Sequence, residues 1–231
     1  MSSNRNISRG RPAGGPDWAA VTSAEIIEAS DRGDADRVEA LLRGDPLLAH
    51  AVGDHDKTPL HLAAEHDHVD VARLLLDAGA DIAARTSWGM TPLQWAATMG
   101  SNGVADLLLA AGAELDLWSA AGLGRLDEVK RLCVAPDHGV VSDACHIACR
   151  NGHVDVAAFL LDRGADIDRR GYFGATGLHW AAINGHSEMV AFLIGRGART
   201  DGRDDEFHAT PLEWGVEGGH GDIAALLRLA T

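Results

Sequence analysis

Apolar positions along this chain fall into short runs that come in pairs. In Pro59-Leu60-His61-Leu62-Ala63-Ala64-Glu65, the residues Leu60, Ala63 and Ala64 share one side of a helix at 3.6-residue spacing. The partner run, Val69 to Leu76, places Val71, Leu74 and Leu75 on one face and stops at Gly79, a suitable left-handed C-cap. Thr58 opens the first run, where a hydroxyl can cap the helix. The proline after it occupies the helical position at which a missing N–H costs nothing. The phrase returns as Thr91-Pro92-Leu93-Gln94-Trp95-Ala96-Ala97, Thr176-Gly177-Leu178-His179-Trp180-Ala181-Ala182 and Thr210-Pro211-Leu212-Glu213-Trp214. Paired alanines at 63/64, 96/97 and 181/182 let adjacent helices approach closely. The pattern predicts an all-α stack of helix pairs, in which each unit touches its neighbours, rather than a globule with one buried centre.

Measured from the slot of His61, equivalent positions fall at Ile27, His61, Gln94, Trp118, His146, His179 and Glu213, at intervals of 34, 33, 24, 28, 33 and 34 residues. Four of these intervals match the ~33-residue period of ankyrin repeats and their Thr-Pro-Leu-His-x-Ala phrase. Over residues 22–231 the chain resembles that family. The resemblance implies an α-solenoid of about seven helix pairs joined by short β-hairpin-like fingers. It divides a single domain, residues 21–231, into repeats of approximately 22–54, 55–87, 88–114, 115–138, 139–172, 173–206 and 207–231. Two intervals depart from the family. About nine residues are missing between Gln94 and Trp118, roughly the length of a finger, and about five between Trp118 and His146. The irregular stretch near 113–142 is expected to bend the stack or open a notch, unless a short loop absorbs it. Helices Glu25–Leu42 and Ile223–Leu229 are expected to act as polar-faced caps.

If Leu60, Ala63 and Ala64 face the stack, then Leu62, Glu65 and His66 face away from it. The resemblance implies that this side lines an inner groove used for partners. Later slots on that side hold Trp95, Met99, Ile147, Trp180 and Trp214, with Trp118 at the short repeat and Gly122 and Gly218 leaving room beside the row. The fingers add Trp88, Met90, Tyr172, Phe173 and Phe207. These eleven residues are the candidate binding set. Exposed apolar area on this scale marks a recognition surface, and tryptophan is a favoured anchor. Packing between repeats is the competing role for the same side chains.

The formal charge of −14, from 34 acids against 20 bases, repels phosphate backbones and anionic membranes, so neither nucleic acid nor membrane is expected as a partner. No stretch approaches the ~18 apolar residues of a membrane span. Three cysteines and an N-terminus without an apolar run fit a reduced, cytoplasmic protein. Residues 1–20, with Arg5, Arg9 and Arg11, read as a flexible arm. Most of the 12 histidines fall in the capping phrase or in the turn between paired helices. No metal-ligand spacing or phosphate-cradling loop is present, and no cofactor is expected.

The expected function is a module that recognises a protein or peptide through an aromatic groove and finger tips. The alternative is a site for a small apolar molecule, or an unusual enzyme, at the central notch. His179 and Glu213 occupy corresponding slots of adjacent repeats, with Asp205 and His208 on the nearby finger. Such carboxylates and imidazoles can do general acid–base work.

Overall fold

The computed structural model describes residues 18–134 and 137–230, with side chains from Thr22 onward. The N-terminal arm expected over residues 1–20 lies outside them except for its last turn, because the first helix already begins at Trp18. Seven helix pairs follow one another. They are α1 Trp18–Arg32 with α2 Ala35–Gly44, α3 Pro59–Glu65 with α4 Val69–Asp77, α5 Pro92–Met99 with α6 Asn102–Ala110, and α7 Leu117–Gly122 with α8 Leu126–Leu132. The remainder are α9 His138–Arg150 with α10 Val154–Leu161, α11 Gly177–Ile183 with α12 Ser187–Gly195, and α13 Pro211–Glu217 with α14 Gly221–Ala230. The expected first cap, Glu25–Leu42, is therefore two helices. Gly33, at φ 73°, turns the chain between them.

Short-range chemistry sets each first helix. Thr58, Thr91, Thr176 and Thr210 stand at N-caps, and the side chain three residues on reaches back to the cap's own N–H in a capping box. His61 Nδ1 accepts from Thr58 N–H at 3.2 Å, and His179 Nδ1 accepts from Thr176 N–H at 3.1 Å. The opposite ring nitrogen then carries the proton and binds the next repeat: His179 Nε2 donates to the Ala209 carbonyl at 3.1 Å. His146 makes the equivalent bond to Ala175 at 3.1 Å. The turn histidines repeat the device one level away. His68, His153 and His220 donate to the carbonyls of Asp31, Gly122 and Ile183 at 3.0–3.1 Å.

Leu60, Ala63 and Ala64 are fully buried, as the helical spacing predicts. In α4 the deep residues are Val71, Ala72 and Leu75, whereas Leu74 is only half-buried, because it faces the flank of the stack. No strand occurs among the described residues, and the fingers are hairpin-like only at their tips. They are turns closed by one backbone rung each, for example Thr86 N–H to Met90 O at 3.0 Å and Gly171 N–H to Ala175 O at 2.9 Å. One rung is too little to make a ladder.

The irregular middle has a specific construction. After α6 the chain runs straight to Asp116, whose Oδ1 accepts from Ser119 N–H at 2.6 Å and caps α7 with no finger before it. The second finger is also missing. In its place α9 extends to 13 residues, capped by Asp137 through Gly139 N–H at 2.7 Å. The shortened repeat packs very closely. A Cβ on Gly122 would lie 2.8 Å from the Ala97 carbonyl and 3.0 Å from Ile147 Cγ1, so the room expected beside this glycine is filled by its neighbours. Asn151 Nδ2 donates to both Ala97 O and Gly122 O at 2.7 Å, reaching past the short repeat. The apolar core divides here into two clusters, and Leu115 and Trp118 pack against both.

Candidate functional site

With two successive fingers missing, a notch opens between the finger that carries Trp88 and the one that carries Tyr172. Its floor is one face of α9, where Asp143, His146, Ile147 and Arg150 recur at helical spacing. Trp95, Thr98 and Met99 of α5, Trp118 of α7 and Trp180 of α11 form the walls, and Met90 and Gly171 complete the rim. The notch is half open to solvent, and its volume is about 660 Å³. Eight of the eleven sequence-predicted binding residues line it: Trp88, Met90, Trp95, Met99, Trp118, Ile147, Tyr172 and Trp180. Phe173, Phe207 and Trp214 lie outside.

The expected bare aromatic row is mostly covered. Trp95, Ile147 and Trp214 are buried, each less than a tenth exposed. Trp95 stacks on Trp88 at 5.6 Å, lies beneath the Lys57 ammonium at 4.8 Å, and donates its indole N–H to Glu65 Oε2 at 3.2 Å. Trp214 meets Trp180 edge-on at 5.1 Å and donates to Asp204 Oδ2 at 3.0 Å. Finger residues roof the inner tryptophans, because an indole packs its faces readily once its N–H has an acceptor. The exposed aromatics sit on the fingers themselves, Tyr172 at 62% and Phe207 at 65% exposure, with Trp88 and Phe173 also open to solvent.

Few polar groups enter the notch, and most are already engaged. Asp143 pairs with Arg169 at 2.8 Å, and the Thr98 hydroxyl donates to Gln94 O at 2.8 Å. Burial holds the His146 imidazole below its ordinary pKa, against the opposing pull of the Ala175 carbonyl. Arg150 differs. Its guanidinium lies 4.3 Å over the Trp180 ring, and it makes no ion pair or hydrogen bond through its side chain among the described residues. The Trp180 indole nitrogen is likewise buried with no partner.

Three of the four acid–base candidates have framework roles. His179 has both ring nitrogens committed, and burial lowers its pKa. Glu213 accepts from Thr210 N–H at 2.6 Å and from its hydroxyl at 2.9 Å, and these bonds hold its carboxyl below the ordinary value. Asp205 pairs with Arg170 at 2.6 Å, and His208 sits exposed on a finger at φ 52°. None of the four lines the notch.

Among the described residues no group of three or more His, Cys, Asp or Glu side chains is placed to hold a metal ion. Cys133, Cys145 and Cys149 are free and buried. A hydrogen bond with Cys145, reinforced by burial, pushes the Cys149 thiol well up. Sequence reasoning missed Arg150 and Asp143 as site residues. The signal was present in the 143, 146, 147, 150 spacing, but only the lost fingers uncover that face.

No described helix is long and apolar enough to cross a membrane. The family described as "Ankyrin repeats (3 copies)" matches residues 26–119 and 146–230, and the match lapses over the irregular repeats. Among curated proteins, the serine/threonine-protein kinase VIK of Arabidopsis thaliana is 45% identical over 67 residues, 29% of this chain and 15% of the kinase. The probable E3 ubiquitin-protein ligase XBOS33 of Oryza sativa subsp. japonica is 35% identical over 72 residues, 31% of this chain and 14% of that protein. The similarity thus spans a small part of either relative. The solved human ASB11 ankyrin repeat domain aligns with 89% of this chain and 97% of its own, at TM-score 0.50 and 26% identity. The repeated capping phrase, the seven helix pairs and these matches agree: the chain belongs to the ankyrin-repeat family.

Proposed function

We propose that this array binds a polypeptide partner along the edge formed by its fingers and the rim of the notch. Ankyrin repeats generally mediate protein–protein interaction. The observation that carries the finer reading is the continuity of exposed aromatics across two fingers. Tyr172 and Phe173 touch at 4.2 Å, and Phe173 meets Phe207 of the next finger at 6.1 Å. A backbone bond from Asp205 N–H to Phe173 O, 2.7 Å long, locks the two fingers together. The aromatic edge is therefore rigid before a partner arrives, so little ordering entropy opposes binding. Aromatic anchors on a fixed scaffold are the usual carriers of interface energy.

The test is affinity capture from the native cell with the intact array and with a Tyr172→Ser/Phe207→Ser double variant. Both side chains are exposed, so the variant should fold with an unchanged melting temperature. A partner retained by the native array and lost by the variant supports the reading, and equal retention by both overturns it.

A further inference from the structure

We propose that the notch is a small-molecule site for an aromatic monocarboxylate, whose carboxylate is held by Arg150 and whose ring lies among the surrounding indoles. This inference does not rest on the finger edge, which meets the notch only at its rim, through Trp88 and Tyr172.

The argument starts from what a ligand would find there. The volume of about 660 Å³ falls within the usual range of small-molecule pockets, about 300–1,000 Å³. Trp88, Trp118 and Trp180 offer ring surface to a planar apolar body, and Trp95 backs Trp88 from behind. Of the charged side chains lining the notch, Asp143 is neutralised by Arg169. Arg150 keeps a fork of donors with no acceptor, and the unpartnered indole N–H of Trp180 lies in the ring beneath it. A half-buried guanidinium stripped of water and left unpaired is costly, and a carboxylate matches its geometry with two parallel hydrogen bonds.

The same census argues for a small molecule rather than a polypeptide. An extended peptide brings a donor and an acceptor at nearly every residue, and each must be satisfied where it is buried. Here Thr98, Asp143 and His146 already have partners, so a peptide backbone would be desolvated with little return. A ligand with one anionic group and an otherwise apolar body leaves nothing unpaired. The charge is limited to one as well. A single cation in a chain of net charge −14 favours a monoanion over a di- or triphosphate.

The experiment is isothermal titration of the protein with 2-naphthoate and with its neutral isostere, 2-naphthamide. The acid should bind saturably at one site and at least about tenfold more tightly than the amide, the preference expected of a charge-assisted pair. In Arg150→Gln the preference should disappear while the amide affinity is kept, which also reports that the pocket is still formed. If that variant loses the amide affinity too, Arg150→Lys, which keeps the charge but not the fork, should restore a partial preference for the acid. Four results would overturn the proposal: no saturable binding of either compound, equal binding of both by the native protein, a preference that survives Arg150→Gln, or no preference in Arg150→Lys. A hexapeptide ending in tryptophan that binds more tightly than the free acid would assign the notch to a polypeptide instead.

Discussion

His61 Nε2 lies 3.0 Å from the backbone oxygen of Met90 in the following repeat, and its Nδ1 accepts from Thr58 N–H. The ring therefore works as a neutral bridge, with one nitrogen closing its own helix cap and the other fastening the next unit. Protonating Nδ1 would set two donors against each other. Burial already holds His61 below its ordinary pKa of 6.5, and burial does the same to His146, His179 and His186.

The first prediction follows from that bridge. A histidine with a lowered folded pKa binds fewer protons folded than unfolded, so its contribution is full above about 6.5 and is lost as pH falls below that value. Melting temperature should therefore drop between pH 7 and pH 5. Gln94 performs the same task without titrating, accepting from Thr91 N–H at 3.0 Å and donating to Asp116 Oδ2 at 2.8 Å. A His61→Gln/His179→Gln variant should show a shallower pH dependence across this window. An unchanged slope would refute the account.

Asp204 anchors the last finger. Its carboxylate, 1% exposed, accepts from the N–H groups of Glu206, Phe207 and Ala209 and from the Trp214 indole. Burial alone would raise its pKa, but these donors outweigh it and hold the group at about 2. Asp204→Ala strands several buried donors and should cost about 3 kcal/mol or more. Urea denaturation would read this loss, and a cost below about 1 kcal/mol would mean that water replaces the carboxylate.

Neighbouring leucines of α4 should respond differently. Leu75 is fully buried and Leu74 is not. Leu75→Ala should cost ~2–5 kcal/mol, as for other truncated core leucines, and Leu74→Ala about half as much. The same denaturation measurement distinguishes them, and equal losses would contradict the placement.

Glycines at the turns give a paired comparison. Gly79 (φ 86°) and Gly185 (φ 80°) are both left-handed, but a Cβ on Gly79 meets nothing, whereas on Gly185 it would lie 2.6 Å from His220 Cε1. Gly79→Ala should cost about 1–2 kcal/mol from backbone strain alone. Gly185→Ala should cost roughly 1–3 kcal/mol more, because His220 must leave its bond to Ile183. Chemical denaturation of the two variants checks the difference.

The regular repeats were legible because their signals are local. A threonine cap, a proline at the first helical position and alanines at 3.6-residue spacing act within one turn, so α3, α5, α11 and α13 follow from the chain itself. The missing fingers were also visible, as two short intervals. Hidden was what replaces them. Nothing in His138 to Ser142 announces that α9 runs on for two extra turns, since any capped stretch without proline can do so. Exposure was the other failure. Trp95 occupies a groove-facing slot, yet Trp88 of the finger just before it covers one face, and Lys57 and Glu65 of the preceding repeat reach it from far away in sequence. Arg150 is absent from the candidate binding set, because its lack of a carboxylate partner is a property of three dimensions.

Asn151 ties units that are not consecutive, since it bonds Ala97 as well as Gly122. An array with adjacent couplings alone unzips from its ends, one unit at a time, and each loss leaves the rest standing. A clasp across the centre removes that option, so α5, α7 and α9 should melt as a block. Hydrogen exchange should report a common opening energy for these three helices, higher than for α1 or α14.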